Sequence, residues 1–115
     1  MRDEVRTAVA FVVAKACGAP GSSVYDYSAS KYSHFSGSVD KNVSIYDHSA
    51  QTHITGTLSS MYHYLTNNYI NITISGHTFN GYDYDSGSHF SGTVRRSNVQ
   101  IFDYQTSSYY QFVLS

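Results

Sequence analysis

The chain has 115 residues, and its 7 Lys and Arg side chains nearly balance its 8 Asp and Glu side chains, leaving a formal net charge of −1. This length predicts a single domain, residues 1–115, with a sizeable core. The scattered basic residues argue against nucleic-acid binding, and no apolar run approaches the roughly 18 residues that a membrane span needs.

The first part of the chain, residues 1–18, predicts a helix whose regular part covers residues 2–17. One apolar stripe recurs at helical spacing, formed by Val5, Ala8, Val9, Val12, Val13 and Ala16. Asp3 and Glu4 in the first turn and Lys15 in the last are the arrangement that the helix dipole favours. Gly18 is a natural helix end.

A signal peptide or lipid anchor is a weaker interpretation of the same segment. The apolar stretch Ala8–Ala14 follows two acidic residues, and Lys15 interrupts the small-residue box before Cys17. Cys17 is the only cysteine, so no intrachain disulfide can form. We therefore expect the helix to stay on the protein, and a cytoplasmic location.

The remainder, residues 22–115, repeats one short pattern five times. An aromatic-Asp-aromatic triplet leads through a four-residue loop into a segment such as His89-Phe90-Ser91-Gly92-Thr93-Val94. The copies begin at Tyr25, Tyr46, Tyr62, Tyr82 and Phe102, and the copy at Tyr25 has two extra loop residues. The segments are rich in Tyr, Val, Ile and Thr and alternate with period two, which predicts five β-hairpins.

A register follows if the third residue of each triplet is the last paired position. The predicted hairpin pairs are His48–His53, Tyr64–Tyr69, Tyr84–His89 and Tyr104–Tyr109. The connectors between copies then pair Val39–Val43, Leu58–Met61, Ile74–Phe79 and Val94–Val99. This agreement predicts a mainly β fold, an antiparallel meander of about ten strands closed as a barrel or sandwich. The helix would cover an open end or part of the apolar face, and a β-solenoid with a helical cap is the alternative.

Alternation assigns the residues to two faces of the sheet. The apolar face collects Val43, Ile45, Ile54, Gly56, Leu58, Met61, Ile70, Ile72, Ile74, Phe79, Phe90, Val94, Val99, Ile101, Tyr110, Phe112 and Leu114. On the opposite face, close to the loops, lies a set of rings that we call the aromatic belt: Tyr25, Tyr27, His34, Tyr46, His48, His53, Tyr62, Tyr64, Tyr69, Tyr82, Tyr84, His89, Phe102, Tyr104 and Tyr109.

The aromatic belt is the candidate working surface of a non-catalytic binding or assembly module. Amphipathic rings suit sugar faces, small ligands, partner proteins or a homo-oligomer interface. The candidate ligand-binding residues are Tyr46, His48, His53, Tyr64, Tyr82, Tyr84, His89, Tyr104 and Tyr109. In the alternative interpretation the belt serves self-assembly without a ligand, or its rings only stabilise the sheet as cross-strand pairs.

Four aspartates occupy the same position of the repeat, the second residue of the triplet. Because side chains alternate between the two faces, these aspartates should lie on the apolar face, beside the loops. These rim carboxylates are Asp26, Asp47, Asp83 and Asp103, with His63 at the same position in the third copy. We expect each to accept hydrogen bonds from loop N–H groups. A ring of carboxylates that holds a cation or polar ligand is the other possibility.

Metal binding and catalysis have less support. His48 and His53 form only part of a zinc site, and no third ligand has suitable spacing, so no metal or cofactor is predicted. The aspartates repeat as structural copies and not as an asymmetric acid–base pair. An enzyme with an Asp-lined mouth is therefore the least favoured function.

Overall fold

Ten antiparallel strands close into a barrel around one helix in the computed structural model, which describes residues 1–115. The elements are α1 Asp3–Ala16, β1 Ser23–Asp26, β2 Lys31–Val39, β3 Val43–Asp47, β4 Thr52–Thr57, β5 Ser60–His63, β6 Asn68–Ser75, β7 Thr78–Asp83, β8 Ser88–Arg95, β9 Asn98–Asp103 and β10 Ser108–Leu114. The barrel prediction is confirmed, whereas the sandwich and the solenoid are wrong because every strand pairs antiparallel with its neighbours around a closed ring.

Consecutive strands form five hairpins, numbered 1 (β1–β2) to 5 (β9–β10). β1 pairs with β10, so that Val24 lies opposite Leu114 and the sheet has no open edge. The four-residue hairpin loops lie at one end of the barrel, the loop end. The short connectors between hairpins lie at the other end, the turn end.

The hairpin register differs from the predicted one by two positions. Tyr46, and not His48, is opposite His53, and the last pair before the loop is Asp47–Thr52. The predicted pairs Tyr64–Tyr69, Tyr84–His89 and Tyr104–Tyr109 are wrong in the same way, since the observed pairs are Tyr62–Tyr69, Tyr82–His89 and Phe102–Tyr109. The error is an even number of residues, so the assignment of side chains to faces is unaffected.

The physical reason for this register is the aspartate at the strand end. The N–H of Ser49 donates to Asp47 Oδ1 at 2.9 Å, so the chain turns immediately after the aspartate. The fourth loop residue then adopts a left-handed conformation, with φ 53° at Gln51 and φ 54° at Asn67 and Ser107. The loop therefore begins at the third residue of the triplet.

Hairpin 1 has a loop of the same length as the others, which corrects the prediction of two extra loop residues. Asp26 pairs with Lys31 across the four-residue loop 27–30, and the extra residues lengthen β2 to nine. Tyr32 consequently lies opposite Tyr25. This places Tyr32 at the position that His53 holds in hairpin 2.

Three of the four predicted connector pairs are present, namely Val39–Val43, Ile74–Phe79 and Val94–Val99. The pair Leu58–Met61 is wrong, because Met61 lies opposite Gly56 and Thr57 lies opposite Ser60. The two-residue turn consists of Leu58 and Ser59, one residue earlier than predicted.

The helix runs through the lumen of the barrel and does not cover its end or its outside, which corrects the predicted placement. Ten consecutive residues, from Val5 to Ala14, are buried. A helix that is buried on all sides lies inside a core. Its 14 residues span about 21 Å, which is most of the length of a molecule that measures 29 × 28 × 26 Å. The rings of Phe11 and Phe35 stack with centroids 4.5 Å apart and fix the helix against β2.

Two inward-facing glycines make room for phenylalanine rings on the neighbouring strand. Gly81 lies opposite Phe90 and Phe79 opposite Gly92. A Cβ at Gly92 would lie 2.5 Å from Phe79 Cζ, and one at Gly81 would lie 2.4 Å from Phe90 Cζ. Because each phenylalanine lies opposite a glycine, β7 and β8 can both place a large ring in the core without a clash.

Neighbouring residues on β6 test the assignment of faces. Ile72 is buried and Thr73 is exposed. We expect Ile72→Ala to lower the free energy of unfolding by about 2–5 kcal/mol, because it leaves a cavity in the core. Thr73→Ala should change it by at most about 0.5 kcal/mol. Equal losses in urea denaturation would show that these two side chains are not on opposite faces.

Candidate functional site

The aromatic belt contains five triads of rings on the outer wall at the loop end, and His34 lies beside them with its ring 5.4 Å from that of His48. In each hairpin a central ring contacts one ring in the loop and one on the opposite strand, with centroids 4.6 to 5.0 Å apart. The triads, with the central ring first, are Tyr25–Tyr27–Tyr32, Tyr46–His48–His53, Tyr62–Tyr64–Tyr69, Tyr82–Tyr84–His89 and Phe102–Tyr104–Tyr109. Most pairs are edge-to-face or tilted, the geometry that the ring quadrupoles favour.

Within each triad the central ring is half-buried and the two flanking rings are exposed. Among the candidate ligand-binding residues, Tyr46 and Tyr82 are half-buried, and His48, His53, Tyr64, Tyr84, His89, Tyr104 and Tyr109 are exposed. The flanking tyrosines expose between 51 % (Tyr69) and 66 % (Tyr109) of their surface. The structure thus brings all nine residues into one surface band around the barrel.

Neighbouring triads are linked because each hairpin is staggered along the one before it. Tyr82 lies opposite Asn71, two residues beyond Tyr69 on β6. The loop ring Tyr84 therefore reaches over hairpin 3, where Asn71 Nδ2 donates to its hydroxyl at 3.3 Å. The hydroxyls of Ser91 and Tyr104 meet in the same way at 3.5 Å, and His48 Nε2 lies 3.0 Å from Ser36 Oγ.

This stagger opens a groove between hairpins 3 and 4. It has a volume of about 250 Å³ and is lined by Tyr69, Tyr84, Asn71 and Ser60. The two rings form its sides, while the amide and the hydroxyl supply hydrogen-bonding groups. We call it the tyrosine groove.

Sequence reasoning missed two exposed side chains at the loop end, Tyr32 in the belt and Leu65 at the mouth of the barrel. Tyr32 is 65 % exposed and belongs to the triad of hairpin 1. The copy that starts at Tyr25 has two more residues than the others, and placing them in the loop puts Tyr32 there as well. A four-residue loop in every copy places Tyr32 opposite Tyr25 instead. Leu65 is an exposed apolar side chain in the loop of hairpin 3, for which the sequence contained no signal.

The histidines of the belt do not converge on a metal site. His48 and His53 are not cross-strand partners. Each instead packs on Tyr46, with ring centroids 4.9 and 4.6 Å away. No group of three His, Cys, Asp or Glu side chains is placed to hold a metal ion.

The rim carboxylates point into the barrel at the loop end and are at least 98 % buried. Each accepts an N–H from the residue two positions ahead in its loop, as predicted: from Ser28 to Asp26, from Ser49 to Asp47, from Asp85 to Asp83 and from Gln105 to Asp103, at 2.9 to 3.2 Å. Because this bond recurs in four hairpins, the aspartates determine where each loop begins.

Asp103 also takes part in a buried charge cluster with the start of α1. Its Oδ2 accepts from Arg6 Nη1 at 3.1 Å and from the Met1 amino group at 3.0 Å. The Arg6 guanidinium lies 3.9 Å from the centre of the Tyr110 ring. The cluster ties α1 to hairpin 5, and removing one partner would leave an unpaired buried charge.

His63 replaces the aspartate in hairpin 3 and is fully buried, with no hydrogen-bond partner at either ring nitrogen. Burial lowers the pKa of His63 below its usual value of 6.5, and the carboxylates of Asp47, Asp83, Glu4 and Asp85 oppose this shift in part. The neutral imidazole is therefore the form that the fold accommodates.

This burial makes stability depend on pH. Below about pH 6.5 the unfolded chain binds a proton at His63 that the folded chain does not, so the free energy of unfolding falls as pH falls, by up to about 1.4 kcal/mol per pH unit. The loss ends at the lowered pKa of the folded state. In His63→Asn, which cannot titrate, the decrease in stability from pH 7 to pH 5 should be smaller than in the wild type. Parallel stability curves for the two proteins in urea would contradict this prediction.

Comparisons with known proteins do not assign the chain to a family: no family model matches it, and neither does a curated protein or a solved structure. The helix α1 is too short to span a membrane.

Proposed function

We propose that the protein is a non-catalytic binding module that uses the aromatic belt to bind carbohydrate. The observation that carries the proposal is the tyrosine groove, where two half-exposed rings flank an amide and a hydroxyl. An aromatic face packs against the C–H groups of a sugar, while amide and hydroxyl groups bond to its hydroxyls.

The position of the helix supports an outer binding surface. Barrels that carry a small ligand commonly enclose it in the lumen. Here α1 occupies that space, and its side chains join those of the strands in one core cluster. A ligand of the repeated rings would therefore bind on the outside of the barrel wall.

The residue pattern of the tyrosine groove recurs around the barrel, although only the junction of hairpins 3 and 4 forms a groove within the belt. Between hairpins 4 and 5 the equivalent positions hold His89, Ser91 and Tyr104, and between hairpins 5 and 1 they hold Tyr109, Gln111 and Tyr27. The same combination of a ring and a polar side chain recurs at each junction. This repetition suits an extended glycan more than a single sugar unit.

A glycan array followed by titration of tyrosine fluorescence tests the proposal. Truncating both sides of the groove with Tyr69→Ser and Tyr84→Ser should weaken binding at least about tenfold, because exposed tyrosine anchors dominate such contacts. The fold should persist, since both rings are about half exposed.

Tyr27→Ser with Tyr109→Ser is the matched control, because these residues hold the equivalent positions at the junction of hairpins 5 and 1, where no groove is formed. Unchanged binding in this control would assign the ligand to the tyrosine groove, and a similar loss would assign it to the whole belt. Full binding in both double variants, or no bound glycan at all, would refute the proposal.

Self-assembly through the belt is the second candidate function. All eight exposed large hydrophobic residues lie in the four-residue loops or on the strands next to them, so the apolar surface is concentrated at one end of the barrel: Tyr27, Tyr32, Tyr64, Leu65, Tyr69, Tyr84, Tyr104 and Tyr109. A net charge of −1 opposes association little. Since the barrel is closed, strand addition at a sheet edge is not available.

Light scattering during size-exclusion chromatography tests this candidate. If the belt is an assembly surface, the wild type should form a homo-oligomer, and Tyr32→Ser, Tyr104→Ser and Tyr109→Ser combined should convert it to a monomer. Asn80→Ser, on the exposed outer wall outside the belt, serves as the control. A wild-type monomer at high concentration would rule out assembly and leave the belt free for a ligand.

An active site at the rim carboxylates has the least support. Acid–base chemistry requires two carboxyl groups in different environments. The four rim aspartates instead share one structural role, the hydrogen bond to their own loop.

A further inference from the structure

A cavity of about 240 Å³ lies at the loop end of the lumen, beside the first turns of α1. We call it the mouth cavity. Asp3, Glu4 and Thr7 form its wall on the helix, and hairpins 1 and 2 form the opposite wall with Asp26, Ser33 and Asp47. The aromatic belt is on the outer surface of the same strands, so the two sites are separated by the barrel wall.

Ser33 explains why the cavity is present on this side of the barrel. The equivalent inward position is Ile54, Ile70, Phe90 and Tyr110 in the other hairpins. Ser33 removes most of that volume. It is 95 % buried and lines the cavity, and its hydroxyl is not hydrogen-bonded to any protein group. The hydroxyl oxygen is not itself enclosed by protein atoms, so it is free to bond to a group that enters the cavity.

The carboxylates of the cavity have unused bonding capacity. Asp26 and Asp47 accept loop N–H groups through Oδ1 alone. In hairpins 4 and 5 Oδ2 is occupied, by the Ser86 hydroxyl at Asp83 and by the Arg6 guanidinium at Asp103. At Asp103, the aspartate of hairpin 5, this position therefore binds a cationic nitrogen that the chain itself supplies.

The charges around the cavity also favour a cation. Four carboxylates line it. Among them only Asp3 forms an ion pair, with Arg6. Lys31 is the single basic residue of the lining, and it is exposed at the rim and makes no ion pair. The Leu65 side chain and the Ala50 methyl supply an apolar strip beside the carboxylates.

We propose that the mouth cavity binds a small organic cation, a primary amine on a short alkyl chain. The ammonium group would lie between Asp26 and Asp47 and donate to their Oδ2 atoms, with the Ser33 hydroxyl beside it. The alkyl chain would pack against Leu65 and Ala50. An ammonium group has three donors, which matches three acceptors from these side chains.

Isothermal titration calorimetry with 1,4-diaminobutane tests this site, with butane-1,4-diol as the uncharged probe of similar length. The wild type should bind the diamine and not the diol. Asp47→Asn should weaken binding about tenfold or more, because it removes a charge-assisted bond while the amide oxygen still accepts the loop N–H. Asp83→Asn is the matched control at the same repeat position outside the cavity, and it should bind like the wild type.

Ser33→Ile gives a test that does not alter charge. It introduces the side chain that Ile54 and Ile70 provide in hairpins 2 and 3, and it should fill the cavity, abolish binding and preserve the fold in circular dichroism. Absence of heat with the diamine, equal binding of the diol, or undiminished binding to Ser33→Ile would overturn the proposal. Binding of Ca²⁺ in place of the diamine would also overturn it and identify a metal site. The belt variants should leave diamine binding unchanged, so this test is independent of glycan binding.

Discussion

Filling the lumen is the constraint on which the rest of the structure depends. Eight strands enclose an interior that their own side chains can fill, and a ten-stranded barrel is wider. Here α1 supplies the missing volume, with buried alanines at positions 8, 10 and 14, and its backbone lies nearest to the adjacent strands β9, β10, β1 and β2. Because the helix and the strands share one core cluster, the barrel has no central ligand cavity. Binding chemistry is consequently confined to the outer wall and to the mouth of the barrel.

The alternation of side chains was sufficient to predict the faces, the meander and the barrel option. It could not determine the register to better than two residues, since a shift of two leaves every side chain on its face. The hydrogen bond from the Ser49 N–H to Asp47 decides between the two registers. The sequence contained this information, because the aspartate was already expected to bond to its loop. That bond requires the loop to begin one residue earlier than we predicted.

The position of the helix and the mouth cavity could not be predicted in the same way. A stripe of apolar residues predicts one buried face, and the small residues Ala10 and Ala14 between the stripe positions are compatible with either solvent or a crowded lumen. The inward position of Ser33 could not be predicted as long as the neighbouring Tyr32 was placed in a longer loop. Once β2 is extended, Ser33 occupies an inward position that is apolar in every other hairpin. The departure from the repeat, and not the repeat itself, marks that site.

The repeat and its departures point to two kinds of recognition. Five similar triads surround one rim, and weak contacts at several of them would add through a high effective concentration if a glycan spans neighbouring triads. The interior of the same hairpins is asymmetric: Arg6 neutralises Asp103, His63 replaces an aspartate, and Asp26 and Asp47 flank a cavity. An extended ligand suits the repeated outer surface, whereas a single small ligand suits the one irregular sector inside. The start of α1 bonds to hairpin 5 through Arg6 and Asp103 and also lines the cavity beside hairpins 1 and 2. Both surfaces at the loop end therefore depend on the buried contacts of the helix.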